Sequence, residues 1–316
     1  MADIPVVFCF DDRILLGAGV SILSLLESAR DTTTYALHIL HPGLSDPVIA
    51  GLSSLVTGSR HSITFHHVSP SRFADAPSGR GSWTEIVYFR LLIPEILGSV
   101  DRAIYSDVDV FFRRDLSDAF ATDLDGIEWA GVAAEANRPD YVLHKHFPEN
   151  SKELTYFSGF MVMNLRLMRE AGALQRYYAT IRSHGSELRF FDLDLLNIAT
   201  PKIARLPFDY VVLEDIFETE DIGATPDFRF LRTAYSEQEL LAARVDPAII
   251  HYAGPRGKPW QRCDMPDYFL RVARQLPAIL RKPTFRDVRK RLLSRRGRAR
   301  LATRTGKTRS PFFGLF

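Results

Sequence analysis

Short apolar runs alternate with amphipathic stretches along the first third of the chain. The apolar runs are compact and are bounded by polar or turn residues, which is typical of buried strands. They lie at 5–10, 35–40, 62–68 and 102–106. Helices are predicted between them, at 17–28, 46–56 and 85–97. Thr84 is the expected N-cap of the last helix, and Pro94 is expected to kink or end it. This alternation predicts an α/β fold with a mainly parallel sheet covered on both faces.

Beyond residue 115 the hydrophobic pattern becomes mixed. Strands are predicted at 129–134, 157–164 and 247–252, and helices at 165–183 and 190–199. The stretch 137–150 is typical of a loop, and 206–227 alternates apolar and acidic residues without a clear period. No internal repeat is visible. The pattern therefore predicts one large domain over residues 1–280, followed by a segment of different composition over 281–316.

Charge is distributed unevenly between these two parts. Hydrophobic residues make up 46% of the 316 residues and charged residues 25%, both ordinary globular values. The net charge of +2 conceals a segment 281–316 that carries 13 Lys/Arg and one acid, so residues 1–280 are strongly acidic. Such an asymmetry bears on binding partners.

The basic segment also contains apolar residues at spacings that suit a membrane surface. They are Phe285, Val288, Leu292 and Leu293, then Phe312, Phe313, Leu315 and Phe316. Basic residues attract anionic lipid, and aromatic residues enter the interface, so we expect 281–316 to bind an anionic membrane surface. Nucleic acid is the alternative partner, but no recognition motif accompanies the charge and the acidic domain would repel a polyanion. We therefore expect no specific nucleic acid.

Cysteine usage and the N-terminus bear on the compartment. Cys9 and Cys263 cannot form a disulfide framework, which favours a reducing compartment. Residues 1–5 lack a basic region followed by an apolar one, so no export signal is predicted. No run approaches 18 apolar residues, so no membrane-spanning helix is predicted. The expected location is cytoplasmic, with peripheral attachment to the inner face of the cytoplasmic membrane.

The most informative motif is Asp107-Val108-Asp109, which directly follows the apolar run 103–106. Side chains two residues apart leave a strand in the same direction, so both carboxylates can reach one divalent cation that also holds a diphosphate. The same spacing recurs at 123–125 and 192–194. Only the first motif follows a predicted buried strand, at the end where open α/β sheets bind ligands. The alternative is a pair of solvated turn acids or an N-cap.

A second region, 251–260, offers a third metal ligand, His251, and a cation for phosphate, Lys258. The alternative for His251 is a core histidine at a strand end with its hydrogen bonds satisfied. The same choice applies to Arg90, which lies among apolar neighbours and needs either a bound anion or a structural partner.

Five blocks of the chain, in this order, resemble those of the family 8 glycosyltransferases. This family contains retaining enzymes, among them bacterial lipopolysaccharide galactosyl- and glucosyltransferases and glycogenin. The blocks are 6–12, 88–91 with 103–110, 157–165, 191–197, and 251–254 with 258–260.

The resemblance implies a GT-A fold, in which a Rossmann-like nucleotide-binding half and an acceptor-binding half share one continuous, mainly parallel sheet. It implies a UDP-sugar donor and Mn²⁺, with Mg²⁺ possible, held by Asp107, Asp109 and His251. Carboxylates with one imidazole form a mixed hard and borderline ligand set that suits Mn²⁺. The loop 137–150 is expected to border an acceptor site.

Further site residues are implied by the resemblance. Donor binding is expected from Cys9, Asp11, Arg13, Arg90, Asp107, Val108, Ser158, Gly159, Gly254 and Lys258. Among these, Asp11 would contact the uracil or ribose, and Gly254 and Lys258 the phosphates. The expected catalytic residues are Asp192, Asp194 and Arg90. Either aspartate is a candidate nucleophile if a covalent intermediate forms, while attack from the front face needs neither. A structural role, capping a helix or pairing with Arg189, is the alternative for both aspartates.

The chain departs from the family pattern at several positions near the expected sugar site. Leu193 stands where the family commonly has Gln, and Phe157 stands where it usually has Asn. Arg13-Ile14 replace Asn-Tyr, and the spacing from His251 to Lys258 is one residue longer. These departures leave the metal ligands in place and bear on which sugar is transferred.

The expected activity is that of a metal-dependent retaining hexosyltransferase. It would move galactose or glucose from a UDP-sugar to a glycan, a lipid-linked saccharide or a lipopolysaccharide-type acceptor. One alternative is a nucleotide-binding GT-A scaffold without catalysis, which Phe157 and Leu193 favour. A nucleotidyltransferase is disfavoured, because Asp11-Asp12-Arg13 follow the first strand in place of a glycine-rich basic loop.

Overall fold

The computed structural model describes residues 3–77, 84–254, 256–284 and 287–293. Ten strands are defined. They are β1 (Asp3–Cys9), β2 (Thr34–His41), β3 (Ser62–His67), β4 (Arg102–Ser106), β5 (Val110–Phe112), β6 (Trp129–Ala136), β7 (Leu154–Asn164), β8 (Ile203–Leu206), β9 (Val212–Leu213) and β10 (Ile249–His251).

Seven of these strands form one sheet in the order β3-β2-β1-β4-β7-β6-β8. The first four are parallel, β7 runs antiparallel to both of its neighbours, and β8 is parallel to β6. The mainly parallel α/β sheet is confirmed. β10 lies in a separate small sheet, between β5 and β9. The strand that carries His251 is therefore not part of the seven-stranded sheet.

In the described part of the chain, α-helices accompany the strands. They are α1 (Leu15–Ser28), α2 (Asp46–Ser53), α3 (Ile93–Ile96), α4 (Ser117–Phe120), α5 (Leu165–Glu170), α6 (Ala173–His184), α7 (Asp192–Ala199), α8 (Glu214–Glu218), α9 (Phe228–Leu231), α10 (Glu237–Val245) and α11 (Asp267–Ala273). Short 3₁₀ helices lie at Asp12–Ile14, Pro70–Phe73, Glu85–Leu92, Gly185–Glu187, Phe208–Val211, Ile222–Ala224 and Pro259–Gln261. Residues 287–293 are also helical.

The predicted helix 85–97 differs from the structure. It is a 3₁₀ helix over Glu85–Leu92 that continues into the short α3, with Pro94 in the first turn of α3. Five consecutive residues from Tyr88 to Leu92 are buried, so packing on all sides sets the winding. Thr84 precedes the helix but its side chain makes no capping hydrogen bond, and its hydroxyl accepts one from Arg13 at 2.9 Å.

Two other predicted helices were also corrected. The predicted helix 165–183 is divided into α5 and α6 at Gly172, whose φ of 64° lies in the left-handed region. The helix predicted from residue 190 begins at Asp192, because Phe191 has φ 41° and ψ −103° and cannot continue a helix. Among the described residues, Phe191 is the non-glycine residue with positive φ. Backbone strain of this kind often occurs at functional sites.

The core lies on both faces of the large sheet, and α1 joins it to the C-terminal part of the domain. Gly17 lies against the ring of Trp260, and Gly19 lies against Leu276. Both positions are glycine because the helix approaches these side chains too closely for a Cβ. The C-terminal region is therefore an integral part of the domain core.

Packing continues beyond the expected boundary at residue 280. Asp287 accepts hydrogen bonds from Gln261 Nε2 at 3.0 Å and from the Thr284 hydroxyl at 2.7 Å. Arg291 Nε donates to the Trp260 carbonyl at 2.7 Å. The first part of the basic segment thus lies on the domain. Phe285 and residues 312–316 lie outside the described part of the chain.

Every helix in the described part of the chain is too short or too polar to cross a bilayer.

We predict that Gly17→Ala destabilises the fold. A Cβ at this position would lie 2.5 Å from Trp260 Cη2, and an indole buried in a core cannot easily move. Overpacking should exceed the gain in helix propensity and lower the free energy of unfolding by about 1–2 kcal/mol, measured by urea denaturation. Gly98→Ala is the control, since its Cβ would make only an ordinary 3.5 Å contact. Equal stability of the two variants would contradict the packing.

Candidate metal centre and cleft

A cleft of about 520 Å³ opens where β1 and β4 end. The carboxyl ends of these parallel strands deliver Cys9 and Asp11 from one side and the 107–109 motif from the centre. The small sheet contributes His251 at the end of β10. The cleft therefore lies between the two sheets, at the edge where open α/β sheets bind ligands.

Asp107, Asp109 and His251 meet in this cleft. One possible ligand atom from each lies within 4.8 Å of the others, and among the described residues this is the group of three with such geometry. His251 Nε2 lies 3.7 Å from Asp107 Oδ2 and 3.3 Å from Asp109 Oδ1. The expected convergence of the three side chains is present.

Main-chain hydrogen bonds hold this arrangement in place. The Asp107 N–H donates to the Gly159 carbonyl at 2.8 Å, which joins the motif to β7. The Tyr252 N–H donates to the Asp109 carbonyl at 2.9 Å, which joins the motif to the residue after His251. The backbone thus fixes which way both carboxylates point.

The residues present fit a divalent cation. A Cβ on Gly159 would lie 2.7 Å from His251 Cε1 and 2.9 Å from Asp107 Oδ2, so the missing side chain leaves the space between the ligands open. His251 Nδ1 is buried and has no hydrogen-bond partner among the described residues, while Nε2 faces both carboxylates. Two carboxylates and one imidazole suit Mn²⁺ or Mg²⁺ better than a soft metal.

Lys258 lies beside the same centre. Its ammonium pairs with Asp109 and donates to the Tyr252 carbonyl at 2.7 Å. Burial works to raise the pKa of Asp109, but the charges of Lys258 and His251 outweigh it and hold that pKa well below its ordinary value. Asp109 is therefore ionised at neutral pH, as a metal ligand must be.

Arg90 is buried and links several groups of the site. Its guanidinium donates to the Ser158 carbonyl at 2.7 Å and to Asp107 Oδ1 at 3.0 Å, and pairs with Asp192 at 3.1 Å. Burial opposes its charge, yet Asp192 and the other anionic neighbours keep the pKa of Arg90 above its ordinary value. The expected structural partners of Arg90 are present, and its contact with a diphosphate stays a prediction.

The two candidate nucleophiles lie in different surroundings. Asp192 lines the cleft, and burial raises its pKa to about 6 although Arg90 lowers it. Asp194 accepts the N–H groups of Arg189 and Phe190, at 2.6 and 2.8 Å, and is absent from the cleft lining. The capping alternative thus describes Asp194, and Asp192 is the one in reach of a ligand.

Most of the other expected donor-binding residues also line the cleft. They are Cys9, Asp11, Arg13, Val108, Ser158 and Gly159. Burial raises the pKa of the Cys9 thiol, so Cys9 is no nucleophile at neutral pH. Gly254 is outside the lining, and a Cβ there would face Asp227 at 3.3 Å and Asp215 at 3.6 Å. Its expected phosphate contact stays a prediction.

Several lining residues gave no signal in the sequence. Asp227 is the last residue of the region without a clear period and Phe230 follows it, while Thr284, Asp287 and Lys290 belong to the basic segment. His144, expected in a loop, is buried and lines the cleft. Contacts with other segments determine how the loop of His144 is held and how deeply His144 is buried. No local sequence pattern predicts these contacts.

Two of the departures from the family pattern line the same cleft. Phe157 and Leu193 both line the cleft, as do Phe190 and Phe230. The ring of Phe157 lies 6.5 Å from that of Phe230. One part of the cleft is therefore charged and another is apolar and aromatic.

The chain is similar to known proteins in sequence. The model of the family described as "Glycosyl transferase family 8" matches residues 5–264. The chain is 24% identical over 262 residues to the "Lipopolysaccharide 1,2-glucosyltransferase" of Escherichia coli strain K12, covering 81% of this chain and 72% of that protein.

Solved structures with a similar fold were also found. The galactosyltransferase LgtC, in complex with donor and acceptor sugar analogues, matches with a TM-score of 0.69 and 21% identity over 87% of this chain and 97% of its own. The bifunctional glycosyltransferase WbbM in its apo form matches with a TM-score of 0.68 and 19% identity. The match covers 92% of this chain but only 52% of WbbM. These likenesses confirm the expected GT-A fold.

We predict that Gly159→Ala weakens metal binding without unfolding the protein. The added methyl group would occupy the space between His251 and Asp107. Affinity for Mn²⁺, measured by titration with electron paramagnetic resonance, should fall by about 10- to 100-fold. Gly98→Ala serves as the control with unchanged affinity. Wild-type Mn²⁺ binding in Gly159→Ala would contradict the placement of the ion.

Proposed function

The chain belongs to glycosyl transferase family 8, and from this premise we propose that it is a metal-dependent retaining hexosyltransferase that uses a UDP-sugar. The observation that carries the proposal is the convergence of Asp107, Asp109 and His251 around the open space beside Gly159. The proposed acceptor is a glycan or lipid-linked saccharide of the lipopolysaccharide type. Support for the acceptor comes from the name of the E. coli relative.

The charges of the cleft suit a nucleotide diphosphate. When bound, Mn²⁺ or Mg²⁺ supplies positive charge to the diphosphate as it leaves the sugar. Lys258 offers a point charge suited to phosphate, and it is held beside Asp109 by the Tyr252 carbonyl. Asp11 and Arg13 lie at the end of β1, where the proposed uracil or ribose contact would be made.

Retention follows, in this proposal, from attack on the same face that the leaving group departs from. The acceptor oxygen bonds to the anomeric carbon while the bond from that carbon to the β-phosphate oxygen breaks. The acceptor proton passes to an oxygen of the departing UDP. Asp192 is held by Arg90 at 3.1 Å, which favours a role in positioning over one as a nucleophile.

The donor sugar is proposed to be galactose or glucose. The E. coli relative is named as a glucosyltransferase and LgtC as a galactosyltransferase. Leu193 and Phe157 present apolar surface in the cleft. They also favour the second candidate, a GT-A protein that binds nucleotide without catalysis. Release of UDP from a UDP-sugar separates the two, because only the transferase produces it.

A peripheral membrane location is proposed for the C-terminal segment. Val288, Leu292 and Leu293 are 40%, 52% and 56% exposed on the helical residues 287–293. Residues 294–316 add seven Lys/Arg and no acid. This combination supports binding to anionic lipid at the inner face of the cytoplasmic membrane.

We predict that Asp109→Ala abolishes turnover. Loss of one carboxylate leaves the ion weakly held and the diphosphate charge uncompensated, so UDP release should fall by at least about 100-fold. The measurement is Mn²⁺-dependent release of UDP from UDP-galactose and UDP-glucose.

The matched control is Asp125→Ala, which changes an exposed aspartate in another Asp-x-Asp triplet away from the cleft. It should retain wild-type turnover. If Asp109→Ala released UDP as fast as the wild type, the metal would have no part in the reaction.

We predict that removal of residues 294–316 abolishes membrane binding. The truncated protein keeps the contacts that Asp287 and Arg291 make with the domain. Each lost cation contributes about 1 kcal/mol near an anionic bilayer. Co-flotation with phosphatidylglycerol vesicles should therefore be lost, and phosphatidylcholine vesicles should float neither form. Equal flotation of both forms with anionic vesicles would exclude the segment as the anchor.

A further inference from the structure

A buried carboxylate lines the cleft and is not used by the metal centre. Asp227 precedes α9, and only 6% of its surface is exposed. Its Oδ2 atom is buried and has no hydrogen-bond partner among the described residues. A buried acceptor atom without a partner costs free energy unless a ligand satisfies it.

The neighbours of Asp227 do not neutralise it. Asp215 lies close by, and both carboxylates face the side of Gly254 on which a Cβ would stand. Arg256 pairs with Asp215 at 3.1 Å, whereas no ion pair to Asp227 is found among the described residues. Burial, followed by the charge of Asp215, raises the pKa of Asp227 to about 6. At neutral pH the Asp227 carboxylate is therefore ionised, although its ionisation lowers the stability of the fold.

Two carboxylates on this side of Gly254 disfavour a phosphate ligand there. A diphosphate would be repelled by Asp227 and Asp215 and attracted by Lys258, so the donor phosphates belong beside the metal ligands. A neutral group that donates hydrogen bonds, such as a hydroxyl, is what an ionised carboxylate binds well.

An aromatic surface adjoins this carboxylate. Phe230 follows Asp227 by three residues, and both line the cleft. Its ring lies 5.9 Å from that of His144 and 6.5 Å from that of Phe157. His144 is itself buried, with Nδ1 at 3.3 Å from Glu135. Apolar rings beside a few polar groups are the usual composition of a small-molecule site.

We propose that Asp227 and Phe230 form the subsite that binds the acceptor saccharide. The Asp227 carboxylate accepts hydrogen bonds from hydroxyl groups of the acceptor ring, and the C–H face of that ring packs on Phe230. The proposal rests on the proposed function, and it assigns the acceptor, as opposed to the donor, to this part of the cleft.

The test compares Asp227→Asn with Asp215→Asn, using UDP-galactose or UDP-glucose with Mn²⁺. The probe acceptors are fluorescently tagged galactosides, glucosides and N-acetylglucosaminides. Asp227→Asn should raise the KM for the tagged acceptor by about 10- to 100-fold, because hydrogen bonds to a charged group are lost. The KM for the UDP-sugar should change by less than about twofold. A general structural defect would instead raise the KM for both substrates.

Asp215→Asn is the control. Asp215 is equally buried but pairs with Arg256 and is absent from the cleft lining. Its replacement leaves Asp227 ionised at pH 7.5, so acceptor KM should stay near the wild-type value. A similar rise in acceptor KM for both variants would overturn the assignment to Asp227.

Thermal melting distinguishes a binding role from a structural one. The pKa of Asp227 is raised from 3.8 to about 6 in the folded state, so the fold loses stability as the pH rises from about 4 to about 6. Asp227→Asn should therefore raise the melting temperature at pH 8, and raise it much less at pH 4.5. A carboxylate that only holds the fold together would give a lower melting temperature in the variant at pH 8.

The outcomes separate this proposal from the one it rests on. If the wild type releases UDP by hydrolysis but labels none of the tagged saccharides, the acceptor class is wrong while the donor chemistry stands. An unchanged acceptor KM in Asp227→Asn overturns the subsite alone. If no UDP-sugar yields UDP with the wild type, the proposed function fails and the subsite fails with it.

Discussion

The geometry of the cleft depends on two main-chain hydrogen bonds that join three strands. One runs from Asp107 to Gly159 and the other from Tyr252 to Asp109. They bring the end of β4, the middle of β7 and the end of β10 to one point, so that carboxylates and an imidazole converge although they are far apart in sequence. The absence of a side chain at Gly159 keeps that point open.

Charge balance around this point is achieved inside the protein. Arg90 is buried between Asp107 and Asp192, and Lys258 lies against Asp109. Each anion near the ligand site thus has a cation that orients it, and the cost of burying the charges is offset by pairing. Asp227 differs, because no ion pair to it is found among the described residues and Arg256 pairs with Asp215. A carboxylate left in that state lowers stability, which is the usual relation between a binding site and the fold that supports it.

The apolar part of the cleft gives the departures from the family pattern a physical setting. Leu193 and Phe157 do not stand alone, because Phe230 and Phe190 extend the same surface. Replacing polar residues with apolar ones in such a place changes which face of a ligand is bound and leaves the metal ligands untouched. The strained backbone of Phe191 lies between Phe190 and Asp192, where it turns the chain from the aromatic surface to the charged one.

Local sequence patterns determined the parallel strands, their order along the chain and the acidic motif at the end of β4, because apolar runs and the spacing of two residues are properties of neighbouring positions. They also sufficed to propose His251 as the third ligand. Tertiary structure alone decided the 3₁₀ winding around Arg90, the partners that hold it, the separation of Asp192 from Asp194, and the position of Asp227 in the cleft. Those features arise from contacts between segments that are distant in sequence. Such contacts bury residues and pair charges, but they produce no periodic pattern in the local sequence.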